Sequence, residues 1–131
     1  MATTVSEETA RPKPTTPADE RRQYPRMFLS GELHAELLPS GTPLVVLDLS
    51  EHGFSVKSPI GFVALEQCRV RFWTAHRSHG ILQAANVHCL HATMPGGPVY
   101  FAGFQFSNVA EEVAIQGMLR EVQELRTASR V

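Results

Sequence analysis

Long apolar runs are missing from this sequence. No stretch of 18 apolar residues occurs, so nothing reads as a membrane-spanning helix. The opening, Met1-Ala2-Thr3-Thr4, has no basic stretch followed by an apolar one, so it does not read as a secretory signal. Cysteine is scarce. Cys68 and Cys89 are the only two and have no paired spacing, which reads as reduced, buried thiols in a cytoplasmic protein. Neither sign of charge dominates: 12 Lys and Arg stand against 13 Asp and Glu, a formal net charge of −1. The overall basic excess of a general nucleic-acid binder is therefore absent. A phosphate-cradling glycine-rich loop and a paired-carboxylate site are also missing. Ser50, Glu51 and His52 have the residue types of a hydrolytic triad. Consecutive strand residues point away from one another, however, and a nucleophile needs its base within hydrogen-bond reach. No enzyme is expected.

What is present is enough for one folded unit. The 131 residues are 43% hydrophobic and 19% charged, which fits a single domain with short extensions. Residues 1–19 carry Pro12, Pro14 and Pro17 among Thr, Arg and Lys. They lack apolar periodicity and bury too little surface to offset the entropy of ordering, so a disordered leader is expected.

From Met27 the pattern is β-like. Met27 to Leu38 is long and mixed, with Gly31 a candidate bulge. Pro39-Ser40-Gly41-Thr42-Pro43 reads as a hairpin turn before the dense run Leu44 to Leu49. Phe54-Ser55-Val56-Lys57 alternates cleanly, and Pro59 and Gly61 then break the chain. Arg69 to Trp73 alternates again. Gly80 to His91 is the next strand, with Ile81, Ala85, Val87 and Cys89 mostly at odd positions. Met94 to Pro98 is a turn, and Val99 to Phe106 the last strand, where Phe101 and Phe104 off strict period around Gly103 suggest a bulge. Six strands punctuated by turns predict a closed antiparallel barrel, mainly β, whose closure hides the sheet edges.

One helix follows. Asn108 is its expected N-cap, with Glu111 three residues on as in a capping box and Glu112 adding negative charge at the positive end of the dipole. Ile115, Met118, Leu119, Val122 and Leu125 recur at helical spacing. A small barrel needs the extra core, so this stripe is expected to pack on it.

Two stretches carry chemistry. Arg21, Arg22 and Arg26 crowd the segment before the first strand, where Pro25 disfavours a helix. Guanidinium groups grip phosphate oxygens bidentately, recognise the O6/N7 edge of guanine and stack on base planes. The second stretch is Asp48-Leu49-Ser50-Glu51-His52-Gly53, between two strands. Asp48 can accept from the N1–H and N2–H of guanine, Ser50 can reach a phosphate or cap the turn, and Gly53 allows a sharp turn or a close approach.

In this order, the two stretches resemble the PilZ family, marked by Arg-x-x-x-Arg ahead of the first strand and Asp/Asn-x-Ser-x-x-Gly between the second and third. Arg22 and Arg26 match the first motif; Asp48, Ser50 and Gly53 match the second. Phe101 to Phe106 resembles the family's closing Gly-x-x-Phe strand, and a C-terminal helix follows. The likeness covers residues 20–126: an arginine strap at 20–26, a barrel at 27–107 and a helix at 108–126, with 127–131 a tail.

The resemblance implies a six-stranded PilZ-type barrel in a bacterial, cytoplasmic receptor for cyclic di-GMP, with no other cofactor. Arg22 and Arg26 would contact phosphates and guanine edges, Asp48 a Watson–Crick edge, and Ser50 the phosphate or base, while Gly53 shapes the turn. Arg21, directly before the motif, implies an intercalated ligand dimer, a third cation neutralising more of its four phosphates. The strap would order over the ligand and change the surface shown to a downstream protein effector. The alternative is a PilZ-like adaptor in motility or pilus assembly that binds no nucleotide. Affinity for nucleic acid is not expected.

Six histidines raise a metal question: His34, His52, His76, His79, His88 and His91. His76 and His79 fall in an expected loop and could chelate. His88 and Cys89 face opposite ways, so no compact ligand set emerges. Trp73 reads as core or as a base-stacking ring, and Arg69 and Arg71 as solvated.

Overall fold

The computed structural model describes residues 25–128. The leader at 1–19, Arg21 and Arg22, most of the strap, and residues 129–131 lie outside the described residues. Among these residues seven strands run in chain order: β1 (Met27–Phe28), β2 (His34–Leu38), β3 (Thr42–Leu49), β4 (Gly53–Ser58), β5 (Gln67–Trp73), β6 (Ser78–Met94) and β7 (Gly97–Phe106). A 3₁₀ turn, Val109–Glu111, leads into α1 (Glu112–Ala128).

All pairings are antiparallel, in the order β1–β3–β2–β5–β6–β7–β4, and β4 also pairs with β3. That last pairing closes β2 to β7 into the expected six-stranded barrel, with the two-residue β1 laid beside β3. Met27 to Leu38 is therefore not one strand. Gly31, at φ 108, sits in the turn between β1 and β2 and not in a bulge. The β2–β3 hairpin turns at Pro39-Ser40-Gly41, where Gly41 has φ 77 and donates to the Leu37 carbonyl at 2.7 Å.

Alternation fills the interior. Leu44, Val46 and Leu49 of β3, Phe54 and Val56 of β4, Val70 and Phe72 of β5, and Phe104 of β7 are buried. Phe54 packs edge-on against Phe72 and stacks on Phe104, each at 5.1 Å between ring centres. Burying each such ring stabilises the fold by about 1.5–3 kcal/mol. In β6 the inward residues are Leu82, Ala84 and Asn86, while Ile81 and Val87 face out. The odd-position reading of that strand is thus corrected. A bulge after Asn86 then shifts the phase and brings Cys89 to the edge of the core. The bulge lies here, at Val87, and not in β7, whose register with β4 is unbroken through Gly103. Cys68 is buried, but Cys89 is only half-buried, a second departure from the sequence reading.

The helix covers one end of the core with Ile115, Met118, Leu119 and Val122, as its spacing predicted. Asn108 caps the 3₁₀ turn by accepting from Ala110 N at 3.0 Å. Glu111 does not complete a capping box. Its Oε1 instead accepts from Gln83 N of β6 at 2.9 Å, which ties the turn to the barrel.

Candidate ligand-binding site

The candidate site forms on the outer face of the barrel around β3. A register shift between Val46 and Asp48 leaves Leu47 without a partner on β4 and sets Asp48 opposite Ser55 of that strand. Ser55 Oγ lies 2.9 Å from both Asp48 oxygens, and its single proton is shared between them. On the other side, Arg26 Nη2 donates to Asp48 Oδ2 at 2.7 Å. The Arg26 side chain is 61% exposed, while Asp48 is 10% exposed, so the pair joins a buried anion to a solvated cation. Asp48 holds the guanidinium in its charged form, through this hydrogen bond first and its charge second. Arg26 also stands over the Phe28 ring, 5.6 Å from its centre, and Phe28 pairs across to Asp48.

The β3–β4 turn is held from within. Ser50 N donates to the Gly53 carbonyl at 2.8 Å, and Ser50 Oγ accepts from His52 N at 3.2 Å. Of the two tasks read for Ser50, capping the turn is the one its contacts perform. A side chain at Gly53 would strike the Phe104 carbonyl oxygen of β7, so glycine here serves a close backbone approach.

The register extends the site sideways. Asp48 pairs with Ser55, Ser55 with Gly103 and Gly103 with His88. With Phe28 beside Asp48, one row crosses β1, β3, β4, β7 and β6. One cleft of about 250 Å³ runs along it, lined by Arg26, Asp48, Ser50, Gly53, Ser55 and His88 among others. The structure thus brings together Arg26, Asp48, Ser50 and Gly53. A neighbouring cleft of about 270 Å³, between the turn and the start of the helix, shares His52 and Gln105 with it.

The other residues weighed from the sequence lie elsewhere. Trp73 is half-buried on β5 and stacks on His34 at 5.7 Å. Arg71 pairs with Glu36 at 3.0 Å. His79 is not in a loop but in β6, with Nε2 2.5 Å from Glu121 Oε1 of the helix. Among the described residues no cluster of three or more His, Cys, Asp or Glu is placed to hold a metal ion.

Phe28, Ser55 and His88 were not read as site residues. Phe28 could have been found, since it lies two residues from Arg26 and shares its strand face. Ser55 and His88 carried no local signal, because their place depends on pairing between strands distant in sequence.

No family model and no curated protein matches the sequence. Solved structures do match. The MrkH–c-di-GMP complex of K. pneumonia has a TM-score of 0.58 at 15% identity, over 84% of this chain and 55% of that one. The PilZ domain of YcgR from Escherichia coli with c-di-GMP gives 0.57 at 14%, over 85% and 99%. The inhibitor of motility MotI/DgrA of Bacillus subtilis gives 0.56 at 15%, over 79% and 51%. The chain spans about half the length of MrkH and MotI/DgrA and nearly all of the YcgR domain. Its fold is PilZ-like.

Proposed function

We propose that this protein is a receptor for cyclic di-GMP that passes the signal to a protein effector by changing shape and not by catalysis. One observation carries the reading: Arg26, Asp48, Ser50 and Gly53 line a single cleft on the outer face of a PilZ-like barrel. Donor and acceptor capacity supports it. A carboxylate offers about four acceptor positions. At Asp48, Arg26 and Ser55 deliver two protons, which leaves two positions for the N1–H and N2–H of a guanine. Arg26 spends one of its guanidinium N–H groups on Asp48. The rest are free to meet a phosphate or the purine O6/N7 edge. Asp48 therefore serves twice, as a guanine acceptor and as the anchor that presents Arg26.

Arg22 would add a second guanidinium, and Arg21 a third, which makes two stacked ligand molecules the expected stoichiometry. The effector surface would be rearranged as the arginine strap closes.

Calorimetric titration of cyclic di-GMP tests the reading. Wild type should bind with two ligands per chain. Arg26→Ala removes a charge-assisted hydrogen-bond donor worth about 1.5–3 kcal/mol, so affinity should fall about 10- to 150-fold. The Arg22→Ala, Arg26→Ala pair should abolish binding. A wild type that gives no heat, or a double variant that binds like wild type, sinks the receptor reading in favour of a nucleotide-free adaptor.

A further inference from the structure

We infer that His88 is a ligand-binding residue of this cleft, and that its imidazole forms a stacking face for a purine of the bound dinucleotide. This rests on the cyclic di-GMP reading above. Three independent features of the fold converge on that ring.

The first is the bulge. The β6–β7 register skips Val87, so Asn86 pairs with Phe104 and His88 with Gly103. Bulges re-aim side chains, and this one does so at the site. Asn86 stays fully buried, its Nδ2 donating to the carbonyls of His88 and Gly103 at 2.9 and 3.1 Å. Those two bonds pin the bulge from inside the barrel. Val87 and His88 are thereby both turned outward, and both line the cleft.

The second is the glycine beneath the ring. A Cβ built on Gly103 would lie 2.9 Å from His88 Cδ2 and 3.0 Å from Cε1, and closer still to Nε2. The imidazole lies across Gly103 and takes the space that a side chain there would fill. It lies low against the sheet, as a surface on which a base can rest.

The third is position. His88 is three strands from Asp48 along the row, about 14 Å at the usual spacing between neighbouring strands. The cationic end of the cleft belongs to Arg26, and phosphates are drawn there. What reaches the far end of a dinucleotide so held is a base. A base meeting an exposed aromatic ring stacks on it, whatever the base, because every base has a π-face. Among the described residues the His88 ring has no hydrogen bond or ion pair to give up in exchange, so the stacking energy is not offset by a lost contact.

The test has two arms on the full chain. In the first, cyclic di-GMP is titrated into wild type, His88→Ala, His88→Phe and Gly103→Ala, and into the His88→Ala, Gly103→Ala pair. His88→Ala should bind about tenfold more weakly and His88→Phe within about threefold of wild type. Gly103→Ala displaces the ring and should also weaken binding, while adding nothing in the His88→Ala background. In the second arm, the His88 Cε1–H signal of wild type is followed by NMR as ligand is added. An upfield ring-current shift is expected, and this readout needs no variant to fold. His88→Ala binding like wild type, His88→Phe failing as badly as His88→Ala, or an unmoved Cε1–H signal would each overturn the inference while leaving the receptor reading intact. A wild type that takes up no cyclic di-GMP overturns the receptor reading and this inference with it.

Discussion

At the scale of single residues, two glycines that look alike in the sequence do different work. Gly53 faces backbone: a Cβ there would lie 3.0 Å from the Phe104 carbonyl carbon and collide with its oxygen. Main chain in a paired strand cannot swing aside. Gly103 faces the movable end of the His88 side chain. Gly53→Ala should therefore cost about 1–3 kcal/mol of stability, and Gly103→Ala clearly less. Urea unfolding of both variants measures this, and equal midpoints would contradict it. The motif marked Gly53 as a turn or close-approach residue, and the structure selects close approach. Asp48 was legible as an acceptor. Its bond to Ser55 was not, because it needs the β3–β4 register and the residue skipped in it, Leu47. Cys68, read as a buried thiol, is one, and burial first and Glu66 second push its thiol above the usual range.

At the scale of elements, irregular pairing sets the functional geometry. The skipped residues are Leu47, Val87 and His79. The first places Asp48 and the second His88. The third turns His79 inward to the helix, where its side chain is 7% exposed and meets Glu121. Gly80, at φ 82, adjoins the third, but no glycine flanks Leu47 or Val87 along its own strand, and the glycines that suggest bulges in the sequence, Gly31 and Gly103, are not themselves the skipped residues. A bulge arises where two long-range registers fail to agree by one residue, and a single strand's sequence does not hold that mismatch.

The contact at Glu121 also latches α1 to the β5–β6 turn, since Thr74 Oγ1 donates to Glu121 Oε2 at 3.0 Å. Burial pushes this carboxyl up. The hydrogen bonds from His79 and Thr74, with the charges of His79 and Arg77, outweigh burial and hold it below its ordinary 4.5. The folded form thus binds the proton more weakly than the unfolded chain. The latch contributes fully above pH 4.5 and is lost as pH falls through the lower folded value. Glu121→Gln should be less stable than wild type at pH 7, with the gap narrowing below pH 4.5. Melting temperatures across that range check it, and a constant gap would rule the latch out.

At the scale of the whole molecule, closure of the barrel carries the stability. β4 meets β3 on one side and β7 on the other, so Phe54 sits where the ring is sealed. Its ring touches Phe72, Phe104 and Phe106 within 5.4 Å of centre-to-centre distance. Phe54→Ala should cost about 3–5 kcal/mol. Because Phe54 follows Gly53 directly, the loss should also loosen the site, and hydrogen exchange of the residue 50–58 amides should rise along with a lowered urea midpoint. A stability loss with unchanged exchange in that segment would separate the core from the site. The six-strand barrel was legible because strand alternation and turn residues are local. The closure of the ring was not, since two of its six pairings, β2 with β5 and β4 with β7, join strands that are not consecutive in the chain.

The sequence by itself determined most of the strand and turn segments, the amphipathic helix stripe, and the residue types of Arg26, Asp48, Ser50 and Gly53. These follow from periodicity, turn chemistry and charge, which neighbours along the chain decide. Only the tertiary structure decided that Arg26 bonds to Asp48, that Ser55 and Gly103 continue their row, and that His88 ends it. Each of those places depends on register between separate strands. A shift of one residue would turn every one of these side chains to the opposite face.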